Sequence, residues 1–288
     1  MADDYEHAYI QTNGIHLHVV IAGNPKGKPV VLLHGFPEFW YGWRHQIPAL
    51  VAAGYRVIVP DQRGYNLSDK PKGVHSYGME ELGQDVIGLL NHFKIEKADF
   101  AGHDWGAAVA WGIAISFPQR IERLVIMNVP HPAVMLDTLR TSPRQILKSW
   151  YIGFFQIPGL ADWMLQANHY AAIGRLLASS GKTGTFTPSD LVEYRKAWAQ
   201  PGALTAMINW YRAIFRVRPG QQADLRVHIP TLVLWGKRDV ALSAEMAQRS
   251  IELCEDGRLV YFENATHWVQ HDEAEEVNRQ LVAFFAVR

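Results

Sequence analysis

The run Gly102-His103-Asp104-Trp105-Gly106 constrains this chain more than any other stretch. An apolar segment, Ala98-Asp99-Phe100-Ala101, leads into it and reads as a buried strand. Ala107-Ala108-Val109-Ala110-Trp111-Gly112-Ile113-Ala114 leads out and reads as a helix lying against a sheet. A strand turning sharply into a helix, with glycine two residues either side of the central position, is a nucleophile elbow. The turn forces the central residue into a strained backbone region, and a Cβ at either flank would collide with the neighbouring chain. Serine is the usual occupant of the centre. Here it is Asp104, at a helix N-terminus whose dipole favours a carboxylate.

The rest of the chain supplies the sheet and helices that such a turn requires. Asn13-Gly14 is a hairpin signal between strands over residues 8–12 and 15–21. Pro29-Val30-Val31-Leu32-Leu33 is an unbroken apolar run of the kind buried on both faces of a sheet. A helix over 42–53 stops at Gly54, and a strand follows over 55–59. The next helix begins near Ser76 as its cap, with Glu80 and Glu81 in the first turns, and carries Met79, Leu82, Val86, Leu89, Leu90 and Phe93 at helical spacing. Another buried strand covers 123–127.

Between Pro130 and Leu225 the sequence has helical segments and many aromatics but no convincing strand. Thr187-Pro188-Ser189-Asp190 there reads as a helix start. Alternation resumes with a strand over 231–235, a helix over 244–253, a strand over 258–262 and a helix over 273–286. The pattern predicts an α/β fold in which a mostly parallel sheet carries helices on both faces. A helical lid, residues 131–225, is inserted after about the sixth strand into a core formed by 1–130 and 226–288, and closes over the strand ends where ligands bind.

Bulk composition excludes several roles. Lys plus Arg and Asp plus Glu both number 28, and no basic tract appears, which argues against nucleic acid and anionic membrane surfaces as partners. The single cysteine, Cys254, rules out an internal disulfide and fits a reducing compartment. The acidic start, Met1-Ala2-Asp3-Asp4, is no signal peptide, and no apolar run approaches the roughly 20 residues of a membrane helix. The expected location is cytoplasmic, and the oligomeric state is left open between monomer and homodimer.

An aspartate nucleophile attacks an electrophilic carbon as the carboxylate and leaves an alkyl–enzyme ester that water must cleave. Cleavage calls for a histidine, an acid to orient it, and donors for the oxyanion. Asp239, in Leu234-Trp235-Gly236-Lys237-Arg238-Asp239, lies just past a buried strand and is the candidate acid. His267, in Glu263-Asn264-Ala265-Thr266-His267-Trp268, follows the last strand and is the candidate histidine. The chain order of nucleophile, acid and histidine is the one an elbow of this type uses. The loop His34-Gly35-Phe36-Pro37-Glu38 is placed to give the Phe36 N–H as one oxyanion donor beside the Trp105 N–H. Its His34, Gly35 and Pro37 are read as structural, with Phe36-Pro37 a candidate cis peptide.

Other clusters read as structural. His16 and His18 share one strand face, taken as solvated rather than metal-binding, and Asp61 with Arg63 reads as an ion pair at a strand end. Val74-His75-Ser76-Tyr77-Gly78 mimics a serine elbow, but no buried strand precedes it. No metal or cofactor is called for.

The elbow with Asp104, the His-Gly-Phe-Pro loop, and Asp239 with His267 together resemble an epoxide hydrolase of the α/β-hydrolase fold. The resemblance extends from about Ile10 to the last helix. It implies an eight-stranded, mostly parallel sheet with an inserted helical lid. The core motifs are shared with haloalkane and haloacid dehalogenases, and a non-catalytic ligand-binding member of the fold is a further alternative. The lid separates the enzymes, because epoxide hydrolases carry two lid tyrosines that hold the epoxide oxygen. Trp150-Tyr151-Ile152-Gly153-Phe154-Phe155-Gln156-Ile157-Pro158-Gly159 is similar to the first lid segment and gives Tyr151. Asn209-Trp210-Tyr211-Arg212 is similar to the second and gives Tyr211. Fluoroacetate dehalogenases have a His-Trp pair where this chain has Ile152-Gly153, and an arginine where it has Trp105. The implied reaction is hydrolysis of an apolar epoxide to a vicinal diol, with Trp105, Trp150, Phe154, Phe155 and Trp210 as apolar walls.

Overall fold

Each unbroken apolar run becomes a strand of one sheet. The computed structural model describes residues 5–217 and 224–287. Its strands are β1 (Glu6–Thr12), β2 (Ile15–Ala22), β3 (Pro29–Leu33), β4 (Arg56–Pro60), β5 (Ala98–His103), β6 (Ile121–Met127), β7 (Thr231–Gly236) and β8 (Gly257–Phe262). They lie in the order β1-β2-β4-β3-β5-β6-β7-β8. The β1–β2 and β2–β4 pairings are antiparallel, and the other five are parallel. Asn13 and Gly14, both with positive φ, make the hairpin turn between β1 and β2. The central strands β5 and β7 are buried along their whole length, as a parallel sheet covered on both faces demands.

Six helices, α1 (Gln46–Ala52), α2 (Met79–His92), α3 (Trp105–Ser116), and later α10 (Glu245–Ile251), α11 (Val269–Asp272) and α12 (Ala274–Ala286), pack on the sheet. Six more come between β6 and β7: α4 (Pro132–Thr141), α5 (Pro143–Lys148), α6 (Trp150–Phe154), α7 (Leu160–Ser180), α8 (Pro188–Trp198) and α9 (Ala203–Arg216). This is the lid. Thr187 and Asp190 form the expected reciprocal cap of α8, each side chain accepting from the other's backbone N–H. Within α7, Ala167–Tyr170 leave helical geometry, and Asn168, His169 and Tyr170 all take left-handed φ. No helix of the described residues is long and apolar enough to cross a membrane.

Several local readings are corrected. The helix expected over 42–53 is a 3₁₀ turn, Trp40–Trp43, followed by α1, because Pro48 has no N–H to donate and belongs in a first helical turn. Ser76 does not cap α2. It sits in a 3₁₀ turn, Val74–Tyr77, with its hydroxyl donated to the Lys72 carbonyl, and Gly78 precedes the helix. Asp61 and Arg63 do not pair. Asp61 accepts from the Trp40 N–H at 2.9 Å and from Asn66 at 2.7 Å, and it meets His18 at 2.6 Å. Arg63 grips Asp85 through two bonds of 2.7 and 2.6 Å. His18 is therefore buried rather than solvated, while His16 stays exposed. Among the described residues no cluster of ligand side chains could hold a metal ion.

Candidate active site

β5 ends at His103, and the chain turns at Asp104 into α3 with φ 49° and ψ −126°. That conformation is sparsely populated for a residue with a side chain and stores about 1–3 kcal/mol of strain. It persists because the neighbours leave room for nothing else. A Cβ on Gly106 would stand 2.0 Å from the Leu33 carbonyl oxygen, so only glycine lets α3 start against the end of β3. Gly35 has the same role from the other side, since a Cβ there would meet the Asp104 side chain at 2.3 Å.

The ends of β5, β7 and β8 bring three side chains together. His267 Nε2 lies 3.4 Å from Asp104 Oδ2, and its Nδ1 lies 2.7 Å from Asp239 Oδ2. Asp239 is fixed by the Ala241 and Leu242 N–H groups, which donate to Oδ1 at 2.7 and 2.8 Å. Asn128, just past β6 with positive φ, adds a third donor at 2.8 Å to Oδ2, and its own Oδ1 accepts from the Gly236 N–H. Asn128 thus binds the end of β6 to the loop that presents the acid. No role was read for it in the sequence; an asparagine at the exit of a buried strand, where αL backbone is tolerated, is the signal that was there to use.

Electrostatics make the cluster a charged triad. Burial favours neutral His267, yet the facing Asp239 and Asp104 carboxylates outweigh it and raise the ring to about 10. Burial would raise the two carboxyls, but His267 holds both below the ordinary aspartate range, helped at Asp104 by the Phe36 N–H. In the resting protein the imidazolium therefore sits between two carboxylates. A histidine with a raised folded-state pKa contributes stability that is complete below its unfolded value near 6.5. This contribution fades as pH rises towards about 10, at up to about 1.4 kcal/mol per pH unit. Urea titrations between pH 7 and 10 should show wild-type stability falling relative to His267→Gln. Parallel curves would mean that the resting ring is neutral.

The loop after β3 carries the oxyanion donor. The Phe36 N–H donates to Asp104 Oδ1 at 2.7 Å, so one carboxylate oxygen is already held and the other faces His267. The Phe36–Pro37 peptide is cis. His34 braces this loop: its Nε2 accepts from the Gln62 N–H at 3.0 Å, and burial keeps the ring neutral. The Trp105 N–H stands at the first position of α3, where no carbonyl four residues back accepts it.

Of the lid residues, Tyr211 packs edge-on to Phe36 and Trp105 at 5.3 and 5.1 Å and to Phe155 at 4.8 Å, with the Tyr151 ring 5.9 Å away. Burial first, and the Asp104 charge second, push both phenols up, so both keep their protons at neutral pH. The remaining wall residues are less uniform. Phe155 is buried among these rings. Phe154 is half-buried behind it, and Trp210 stands behind Trp105 with its indole N–H donated to the Arg63 carbonyl. Trp150 is no wall at all. It is 67% exposed, because it shares the outer face of α6 with Phe154 while Tyr151 and Phe155 share the inner one.

A second buried cluster lies directly behind the triad. The Glu38 carboxylate accepts from Tyr194 at 2.5 Å and Gln270 at 3.0 Å, and meets His271 at 2.8 Å. His103 Nδ1 lies 3.5 Å from it, and His103 Nε2 donates to the His267 carbonyl at 2.9 Å. Burial would raise Glu38, but the His271 and His103 rings hold it well below the usual carboxylate range. Core loop, lid helix α8 and histidine loop are thus tied together at one carboxylate. Glu38 and His103 lie inside the two core motifs, yet nothing local in those motifs marks them as partners.

Comparison with known proteins agrees with this arrangement. A family model described as the alpha/beta hydrolase fold matches residues 28–274. The chain is 46% identical to the AB hydrolase superfamily protein YfhM of Bacillus subtilis, over 96% of each chain. It is 39% identical to epoxide hydrolase 4 of Mus musculus, over 96% of this chain and 79% of that one. Among solved structures, an epoxide hydrolase from Bacillus megaterium in complex with an inhibitor superposes with a TM-score of 0.89. Its identity is 30%, over 97% of this chain and 100% of the other.

Proposed function

The chain belongs to the α/β-hydrolase fold family, among its epoxide hydrolases, and from that premise we propose that it opens an apolar epoxide through a covalent ester on Asp104 and releases a vicinal diol. The observation that carries this reading is the pair of protonated phenols, half-buried Tyr151 and buried Tyr211, whose rings stand 5.9 Å apart, with Tyr211 packed on Phe36 and on Trp105, the residue after the nucleophile. Opening an epoxide creates an alkoxide, a poor leaving group unless it is hydrogen-bonded and then protonated. Two phenols aimed at one oxygen supply this without adding a permanent charge. A halide leaves as a stable anion and needs no proton, so a pair of phenols is chemistry it does not call for.

The charges account for the order of steps. Asp104 Oδ2 attacks the less hindered ring carbon, the carbon–oxygen bond breaks, and the new alkoxide takes a proton through the tyrosine hydroxyls. The resting His267 imidazolium is the net source of that proton. Once the ester forms, the Asp104 charge is spent, one of the two groups that hold His267 protonated is gone, and the ring is free to act as a base. Neutral His267, oriented by Asp239, then takes a proton from water. The resulting hydroxide attacks the Asp104 carbonyl carbon, and the Phe36 and Trp105 N–H groups stabilise the oxyanion. Collapse breaks the bond to the alkyl oxygen, His267 returns the proton it took from water to that oxygen, and the diol leaves; the proton on the new Asp104 carboxyl then passes to the neutral ring and restores the imidazolium. Phe36, Trp105 and Phe155 provide apolar surroundings for the ring substituents.

Replacing either tyrosine by phenylalanine removes one donor and should lower the rate of ester formation by about 10²-fold, and the double variant by far more. Pre-steady-state quenching of the tryptophan fluorescence reads this step directly. Unchanged epoxide turnover in Tyr151→Phe with Tyr211→Phe would refute the assignment of substrate class.

A further inference from the structure

The formal charge of zero conceals a division between the two parts of the chain. Residues 131–225 hold ten Lys and Arg against five Asp and Glu, a net +5, and the remainder holds the balancing −5. The lid acids are largely taken up in contacts: Asp162 with Arg212, Asp137 with Arg249, Glu193 with Lys196, and Asp190 with Arg44. Arg140 is exposed and pairs with no carboxylate among the described residues, and Arg144 reaches only the exposed Glu245 at 3.7 Å. The outer surface of the lid is accordingly cationic.

The same surface is apolar in a way a soluble helix pair is not. Along α5 and α6 the inward positions include Gln145 and Ser149, both buried, whereas the outward positions at helical spacing are Ile146, Leu147 and Trp150, and Ile157 is exposed in the turn after α6. Leu147 is 75% exposed and Trp150 67%. The first turn of α7 adds Trp163, 68% exposed. The last turn of α9 adds Phe215, also 68% exposed; its neighbour Arg216 donates to Gln156, beside Ile157. Large apolar side chains thus lie on the outside as well as the inside of this stretch, while the amide of Gln145 and the hydroxyl of Ser149 are buried. Large apolar side chains left exposed in such number on neighbouring lid elements mark an interaction site.

We infer that this face of the lid docks on an anionic lipid surface, with Trp150 and Trp163 at the headgroup boundary and Arg140, Arg144 and Arg216 on the phosphates. Tryptophan and aliphatic side chains interleaved with arginine are the composition of interfacial helices, and each cation near such a surface strengthens binding. A second copy of the chain is the weaker occupant, because it would bring two faces of like charge together. The composition argument against membrane surfaces averages over the charges of lid and core, and so does not weigh this face by itself. Docking does not rest on the epoxide reading. If that reading holds, α6, which carries Tyr151, lies against the phase into which an apolar epoxide partitions.

Co-sedimentation with vesicles tests this without any substrate. The protein should pellet with phosphatidylcholine–phosphatidylglycerol vesicles and far less with phosphatidylcholine alone, and rising salt should release it. Leu147→Glu with Trp163→Glu, and separately Arg140→Glu with Arg144→Glu, should each cut the bound fraction at least about tenfold. Circular dichroism and hydrolysis of a water-soluble epoxide should be unchanged in both variants. No pelleting with anionic vesicles, or equal pelleting with both kinds, overturns the inference. So does a wild-type dimer, seen by sedimentation velocity, that the same substitutions split while vesicle binding stays absent.

Discussion

Asp104→Ala should reduce epoxide turnover by about 10⁴-fold or more while leaving the fold in place, since loss of a covalent nucleophile removes the reaction path and not merely a contact. The alanine still sits at φ 49° and keeps whatever strain the elbow stores, so thermal unfolding should move little. What does change is the charge balance. His267 loses one of its two carboxylate partners and should titrate closer to neutrality, which nuclear magnetic resonance of the ring reads directly. A variant that kept more than about a tenth of wild-type turnover would exclude an ester on Asp104. Steady-state assays at saturating epoxide are sufficient.

The second large effect is an arrest and not a loss. His267→Gln retains the nucleophile and both tyrosines but has no base, so ester formation should proceed and hydrolysis should stop. Intact-protein mass spectrometry after mixing with an epoxide should then show a gain equal to the whole epoxide, located on the peptide that contains Asp104. Turnover should fall by about 10⁴-fold, in line with loss of the histidine in comparable triads. The same variant distinguishes the rival chemistries. Labelling only by a halogenated acid or alkane, with loss of halide, would make the protein a dehalogenase, and no adduct from either class would make it a binder. Asp239→Asn should give a weaker form of the same arrest, because the ring keeps its place but loses the charge that orients it.

The parts of this molecule that were legible in the sequence are those whose cause is local. An elbow is a short-range matter of two glycines and one strained residue, and it forms where the sequence predicts. Asp239 and His267 could be found because each follows a buried strand, and the carboxyl ends of parallel strands in one sheet all lie at the same edge. Asn128 offered only half of its role: its place at the exit of a buried strand is local, but its partner lies more than a hundred residues along the chain, in the acid loop. Asp61 and Arg63 misled through proximity alone, two residues apart yet committed to different partners. Trp150 misled for a different reason. Periodicity identifies the buried side of a helix only when the other side is polar, and on α5 and α6 both sides are rich in apolar residues, so the phase was not readable.

The way the lid is attached divides it mechanically. Gln145 on α5 bonds the Ala241 carbonyl at 2.8 Å and the Ser243 N–H at 3.0 Å, and Lys148 reaches the Asp239 carbonyl at 2.9 Å. The stretch from α4 to α6 is therefore riveted to the loop of the catalytic acid, and Tyr151 moves only if that loop moves. Beyond it the chain breaks at left-handed Gly159 and again at the left-handed run Asn168–Tyr170 within α7. An opening motion hinged at the second break would have to release the Tyr194–Glu38 bond to move α8, while the frame that holds the acid and the first phenol stood still.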